Sequence, residues 1–314
     1  MRNGCHTGLR AALIALAATL LSACGHRGER VISASGVIWD RITPPEVIAP
    51  DRPDWRGDSI AFQVREQGAD RVAVAREDGS STAIEPAVGG TNERAPRWVR
   101  SGLLIDTSDF SGSEDLWYRE AVSGSTRRFT GFAAGAWTPA PRPFAPAVVY
   151  VEGAVPDSGR LVLLADTTAV PLDPMYITPA SLIAGEPDWN PAGDQICFSV
   201  AGPNGTRQIW RLSLSDTLAV QLTVAQPPPS APTIDRSPRW SPDGTRILFA
   251  SNRAGRWGVW TLSPLGEAQG LDVIAQDLRG AEIRHPVWSP DGTEVLLSSD
   301  RSGDRALWRL SNLH

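Results

Sequence analysis

Side chains able to do acid–base, nucleophilic or metal chemistry are few in this chain and mostly stand alone. Its four histidines, His6, His26, His285 and His314, form no His-x-x-x-His pair, and its three cysteines, Cys5, Cys24 and Cys197, form no Cys-x-x-Cys pair. The usual zinc spacings are therefore missing, and no metal site is expected. Cys197 stands in the apolar run Ile196-Cys197-Phe198, where a small buried hydrophobe is the expected role. Neither a Gly-x-Ser-x-Gly elbow nor a glycine-rich phosphate loop occurs, so no cofactor is expected. What does recur is a charged position. Between an anchor proline and tryptophan, or just before the tryptophan where the proline is lost, stand Asp54, Arg97, Ala136, Asp188, Arg239 and Val287. Acid, base and neutral residue follow one another twice.

The elements that position these residues are repeats. Ser237-Pro238-Arg239-Trp240-Ser241-Pro242-Asp243-Gly244 returns as His285-Pro286-Val287-Trp288-Ser289-Pro290-Asp291-Gly292, 48 residues on. Pro-x-Trp also occurs at Trp55, Trp98 and Trp189, and Trp137 is a sixth anchor that has lost its proline. Steps of 43, 39, 52, 51 and 48 residues between the six leave room for about four short strands each. A second aromatic strand carries Trp117, Trp210, Trp260 and Trp308, 19 to 21 residues after the anchors. Asp-Gly pairs at 78–79, 243–244 and 291–292 suit tight turns, where glycine takes positive φ and aspartate caps its own backbone.

Pro-x-Trp-Ser-Pro-Asp-Gly and Ser-Asn-Arg-x-Gly, the latter at 251–255, together resemble the repeats of TolB-like β-propellers. The resemblance covers residues 53 to 311, strongest in units five and six and poorest in unit three, where Pro139-Ala140-Pro141-Arg142-Pro143-Phe144-Ala145-Pro146 replaces the turn. It implies an all-β fold, a six-bladed β-propeller spanning 36–314. The last unit ends at its third strand, so the apolar segment 31–39 is expected to supply the missing outer strand and close the ring. Loops after second and fourth strands share one face. That face collects 201–206, 251–256, 299–304 and the proline-rich connection 226–232, and is the expected partner surface.

Residues 1–23 read as a secretory leader: Arg2 and Arg10 precede an apolar stretch, 11–21, that is too short to span a bilayer. Its ending, Leu21-Ser22-Ala23-Cys24, resembles the bacterial lipoprotein lipobox. That resemblance implies cleavage before Cys24, acylation there, and a short tether over 24–35. With Gly25 rather than aspartate after the cysteine, it favours an outer-membrane lipoprotein facing the periplasm. Losing Arg2 and Arg10 takes the formal charge from −5 to −7, and all 30 basic residues are arginines without a basic run. Nucleic acid is not the expected partner.

Two functions stay open. One is a lipid-anchored, non-catalytic scaffold for a protein or cell-envelope polymer, with Asp54, Arg97, Asp188 and Arg239 as a channel binding site. The alternative is an envelope glycan-processing hydrolase or lyase using channel carboxylates, for which no separations can be read from sequence. Pairing of the four charged residues would favour the scaffold. His285, just before an anchor proline, is expected to be structural. Most tryptophans are expected to pack between blades, with carbohydrate stacking as the other reading.

Overall fold

The computed structural model describes residues 29–313 except positions 34, 86–90, 101, 121–122, 124, 132–133, 170, 226–230 and 278. Residues 1–23, expected to be a leader, Cys24, the prolines at 227–229 and His314 lie outside the described residues. The described chain is a β-propeller, built almost wholly of short antiparallel strands with two brief 3-10 turns.

Each repeat unit folds as an antiparallel meander. Its first strand lines a central channel, and these inner strands are Asp51–Arg56, Glu93–Arg100, Ala136–Pro141, Ala184–Trp189, Asp235–Trp240 and Ile283–Trp288. Second strands are buried on both sides because neighbouring units sandwich them, so Ile247–Ser251 and Val295–Ser299 are fully buried along their length. That is why they read as continuous apolar runs rather than alternating ones. Units three and four are joined through one residue pair, Gly159 with Ala184, into an eight-stranded sheet.

Every inner strand carries a register shift, and the shifts align the units. At each shift a non-glycine residue adopts positive φ: Arg52 (50°), Ala95 (51°), Thr138 (45°), Glu186 (54°), Ser237 (54°) and His285 (46°). Proline follows each of them. This alignment corrects the sequence reading of unit three. Its anchor proline is Pro139, not lost, and the tryptophan position is occupied by Pro141, paired with Val148 as Trp189 is with Ile196. Trp137 sits one residue before the shift, so the residue equivalent to Asp54 is Ala140 and not Ala136. The tryptophan is the louder signal, but proline is what the bulge keeps.

Anchor tryptophans fill the seams between units. Trp98 packs with Ala61 and Val72 of unit one, Trp189 with Val149 and Val151 of unit three, and Trp240 with Cys197 and Ile209 of unit four. Trp55 and Trp288 occupy the seams before units one and six. The seam between units two and three has Pro141 instead.

The last unit meets the first. Strand Ile38–Arg41 pairs with the final strand Ala306–Ser311, Ile42 donates to Leu307, and Ser298 donates to the Pro50 carbonyl at 2.8 Å. The N-terminal segment differs from expectation in one respect. It is a hairpin, because a further strand, Arg30–Ile32, pairs with Ile38–Arg41 on its outer side. Pairing thus begins inside the expected tether. Trp39 is buried against Trp308, and the Arg301 guanidinium lies 4.0 Å from its ring centroid. Truncating it in Trp39→Ala should destabilise the protein by about 3–5 kcal/mol, read as a lowered urea midpoint, while Ile32→Ala on the exposed outer strand should change it by less than about 0.5 kcal/mol. Equal effects would mean that the hairpin does not close the fold through Trp39.

Candidate functional site: the central channel

Two layers of side chains fill the channel. One comes from the positive-φ residues, the other from the residues two positions later. A left-handed non-glycine residue costs roughly 1 kcal/mol or more, and here the cost recurs in every unit. What it gains is a bend that presents a side chain to the axis from each inner strand.

The second layer holds the four residues singled out in the sequence. Arg97 joins the two aspartates: its Nε lies 2.9 Å from Asp54 Oδ1, an ion pair rather than an aligned hydrogen bond, and its Nη2 donates to Asp188 Oδ1 at 2.6 Å. Arg239 Nη1 donates to the same Asp188 oxygen at 3.3 Å. Both carboxylates also accept a backbone N–H from the anchor tryptophan of the following unit, Asp54 from Trp98 at 2.8 Å and Asp188 from Trp240 at 2.9 Å. Burial pushes both aspartates up despite their arginine partners. These acids therefore tie units together as well as facing the axis. The layer opens into a basin of about 230 Å³, rimmed by Trp55, Trp189, Trp240 and Trp288 and by the turn prolines Pro191, Pro242 and Pro290. The basin lies on the compact-turn face, opposite the face with the longer loops.

The first layer was not legible as a site. His285 Nδ1 is 2.7 Å from Asp51 Oδ1, and its Nε2 is 3.4 Å from Glu186 Oε1 across the channel. Glu186 also accepts from the Ser237 amide (2.9 Å), Ser237 Oγ (2.6 Å) and Ser199 Oγ (3.0 Å). Arg52 Nη2 donates to Asp157 Oδ2 at 2.5 Å, and Arg207 Nη2 donates to the Asp157 carbonyl at 3.0 Å. Asp157 sits at the tip of the unit-three hairpin, which reaches to the mouth. It approaches so closely that a Cβ on Gly185 would lie 2.4 Å from the Asp157 carbonyl oxygen, so only glycine fits there. The space left in this layer is about 20 Å³, enough for a single water. The one signal for it in the sequence is a polar residue immediately before an anchor proline, which cannot be assigned to the axis without knowing the backbone is left-handed there.

Charges in this layer are mutually held. Burial opposes ionisation of Asp51, but the charge and hydrogen bond of His285, with Arg52 and Arg305, outweigh it and hold the carboxyl below the usual range. Burial likewise raises Glu186, yet His285, Arg207 and Arg52 bring it well below its ordinary value. Burial lowers the His285 pKa and Arg52 lowers it further, but Asp51 and the bond to Glu186 prevail and raise it. Among the described residues no group of three or more His, Cys, Asp or Glu side chains is arranged to hold a metal ion.

A β-propeller whose channel is lined by two layers of charged and polar side chains is the class of protein defined here. Solved structures similar to it share that fold. TolB from Acinetobacter baumannii superposes with a TM-score of 0.62 at 16% identity, over 82% of this chain and 66% of that one, so this chain spans just under two thirds of its length. Oligogalacturonate lyase from Vibrio parahaemolyticus superposes at 0.60 with 12% identity, over 94% of this chain and 98% of that one. A puromycin-hydrolyzing peptidase from Mycobacterium tuberculosis superposes at 0.53 with 14% identity, over 82% of this chain and 52% of that one. No family model matches the sequence. Identities this low carry the fold and nothing of the site.

The His285 network makes stability depend on pH in a defined sense. A raised histidine pKa stabilises the fold fully below the unfolded value of about 6.5 and is lost as pH rises through the folded value. The lowered Asp51 and Glu186 values contribute above about pH 4 and are lost as pH falls through the folded values. Urea midpoints should therefore decline as pH rises above about 6.5 in the native protein, and decline less in His285→Gln, which should itself cost about 3 kcal/mol at pH 6 by removing one of the cations that hold Asp51 and Glu186. An unchanged slope in His285→Gln would assign the pH dependence elsewhere.

Proposed function

We propose that this protein is a non-catalytic binding scaffold, a six-bladed propeller closed by its N-terminal hairpin, anchored by acyl chains on Cys24 to the outer membrane and facing the periplasm. The observation that carries this reading is the pairing of the channel acids. Asp54 and Asp188 spend their oxygens on Arg97, Arg239 and backbone amides, while Asp51 and Glu186, with His285, lie where about 20 Å³ remains. An acid–base pair acting on a glycan needs a carboxyl free to exchange a proton with a bound sugar; Asp54 and Asp188 line the basin, but each already holds an arginine and a backbone amide, which supports the scaffold over the hydrolase or lyase. The basin, by contrast, offers indole faces and turn prolines around two paired arginines, a surface suited to a protein segment or envelope polymer. On this reading the partner surface is the compact-turn face that bears the basin, in place of the expected long-loop face.

Photo-crosslinking in intact cells tests this. A photoreactive residue at Pro242 or Pro290 should capture a discrete partner that is not captured from Arg253 or Ser302 on the other face. Capture from the long-loop face alone would move the site there. A glycan-cleaving activity abolished by Asp54→Asn with Asp188→Asn, in a protein that stays folded, would replace the scaffold with the hydrolase or lyase. The anchor is tested separately: Cys24→Ala should shift the protein from the membrane pellet to the soluble periplasmic fraction and abolish incorporation of labelled palmitate, since multiple acyl chains are what makes such anchoring stable. A Cys24→Ala protein still in the pellet would place its attachment elsewhere.

A further inference from the structure

A deep recess lies at the one seam whose tryptophan is missing. It has a volume of about 740 Å³, opens on the compact-turn face between units two and three, and is walled by Val99, Tyr118, Phe129, Pro141, Val148 and Leu172. That volume falls within the roughly 300–1,000 Å³ typical of ligand sites. In the other five seams an indole of the chain itself occupies the equivalent place, and Pro141 is too small to do so. Tyr118 and Phe129 stand together as an aromatic wall, with ring centroids 5.0 Å apart.

Beside the recess the backbone does something no other unit does. In units four, five and six the turn after the inner strand places glycine at positive φ, at Gly193, Gly244 and Gly292. In unit three the glycine position is Ala145, and the left-handed residue is Phe144, one position earlier, at φ 57°; this residue is 102% exposed, more than any other large apolar residue described. A strained backbone that holds a bare phenyl ring in water next to an apolar recess is the pattern of an unoccupied contact surface. Among the residues that line the recess, Arg100 and Arg127 outnumber one acid, Glu120, which is 3.9 Å from Arg100, and the Arg127 guanidinium lies 5.2 Å from the Tyr118 ring centroid.

We propose that the seam between the second and third units is a docking groove for an acidic peptide segment of a protein partner, which inserts an aromatic side chain where the repeat has lost its own tryptophan. The aromatic residue supplies the missing seam packing against Tyr118 and Phe129. Phe144 covers its outer side, and flanking carboxylates meet Arg100 and Arg127. The recess is larger than one indole needs, which leaves room for the residues on either side of it. This site is separate from the channel basin, and the two can fail independently.

Fluorescein-labelled Gly-Asp-Trp-Asp-Gly, titrated by anisotropy against the full chain purified in detergent, is the test. Binding with a Kd of about 100 μM or tighter is expected, with at least about tenfold loss when the peptide tryptophan becomes alanine or its acids become lysines. Pro141→Trp should abolish binding by filling the groove from within and should raise the melting temperature. Because that variant could perturb the inner strand, Thr126→Trp, on the outer strand of unit two that lines the groove, is the second block. Phe144→Ser and Arg127→Ala should each weaken binding severalfold with an unchanged melting temperature. The proposal is overturned if the peptide fails to bind at 1 mM, if the alanine peptide binds equally well, or if binding persists in both Pro141→Trp and Thr126→Trp. Binding lost only on changing the basin rim would likewise overturn it while leaving the scaffold reading intact.

Discussion

Six inner strands have to converge on an axis too narrow for flat, fully paired strands. The backbone meets this constraint the same way each time, with a register shift at a left-handed residue locked by the proline that follows. Proline has no N–H to leave unpaired where the ladder is interrupted, and its fixed φ holds the bend. The conformation is costly for the non-glycine side chains that occupy it, so the surrounding packing must impose it. Once it is imposed, the side chain at the shift and the one two residues later both face the channel, and the next residue enters the seam. Channel chemistry and seam packing thus descend from one repeated backbone event.

This explains what could and could not be read from the chain. Units were legible from Pro-x-Trp and from the third-strand tryptophans, because both are burial requirements that recur at near-constant spacing. The charged ring of Asp54, Arg97, Asp188 and Arg239 was legible because it sits inside the phrase. Unit three was misregistered by four residues, since Trp137 mimics an anchor while the true landmark, Pro139, lies within a proline-rich stretch. The layer of Asp51, Glu186 and His285 was invisible for a different reason. It depends on φ, and on the tip of a hairpin at Asp157 that approaches the channel from another part of the chain. Long-range convergence of that kind leaves no periodic trace.

Arginine serves as both charge and spacer throughout. Arg253 pairs with buried Asp235 at 2.6 Å while its guanidinium lies 5.7 Å from the Trp260 ring centroid, and Arg301 stands over Trp39 and Trp308. A planar guanidinium can pair edge-on and stack face-on at once, which an ammonium cannot. In unit two Arg119 is wholly buried between Glu93 and Asp106, and burial pushes the Asp106 carboxyl up to about 6. Buried pairs of this sort contribute little net stability over apolar packing, but removing one partner is expensive. They therefore fix which unit sits beside which more than they strengthen the fold.

Unit three departs from the repeat in ways that bear on both faces. Its hairpin reaches the channel mouth on the long-loop face, where Arg52 and Arg207 bind the Asp157 tip and Gly185 makes way for it. Its missing tryptophan opens the seam on the compact-turn face, beside a turn whose left-handed residue is Phe144. In a repeat protein the regular residues are determined by the need to pack against near-identical neighbours, so they report on architecture. A unit freed from that need can lose a seam residue only if the neighbouring seams hold the ring without it, as the five tryptophan-filled seams and the N-terminal hairpin do here. The break therefore leaves a recess that no residue of the repeat needs to fill, and the strength of the other seams is what allows it.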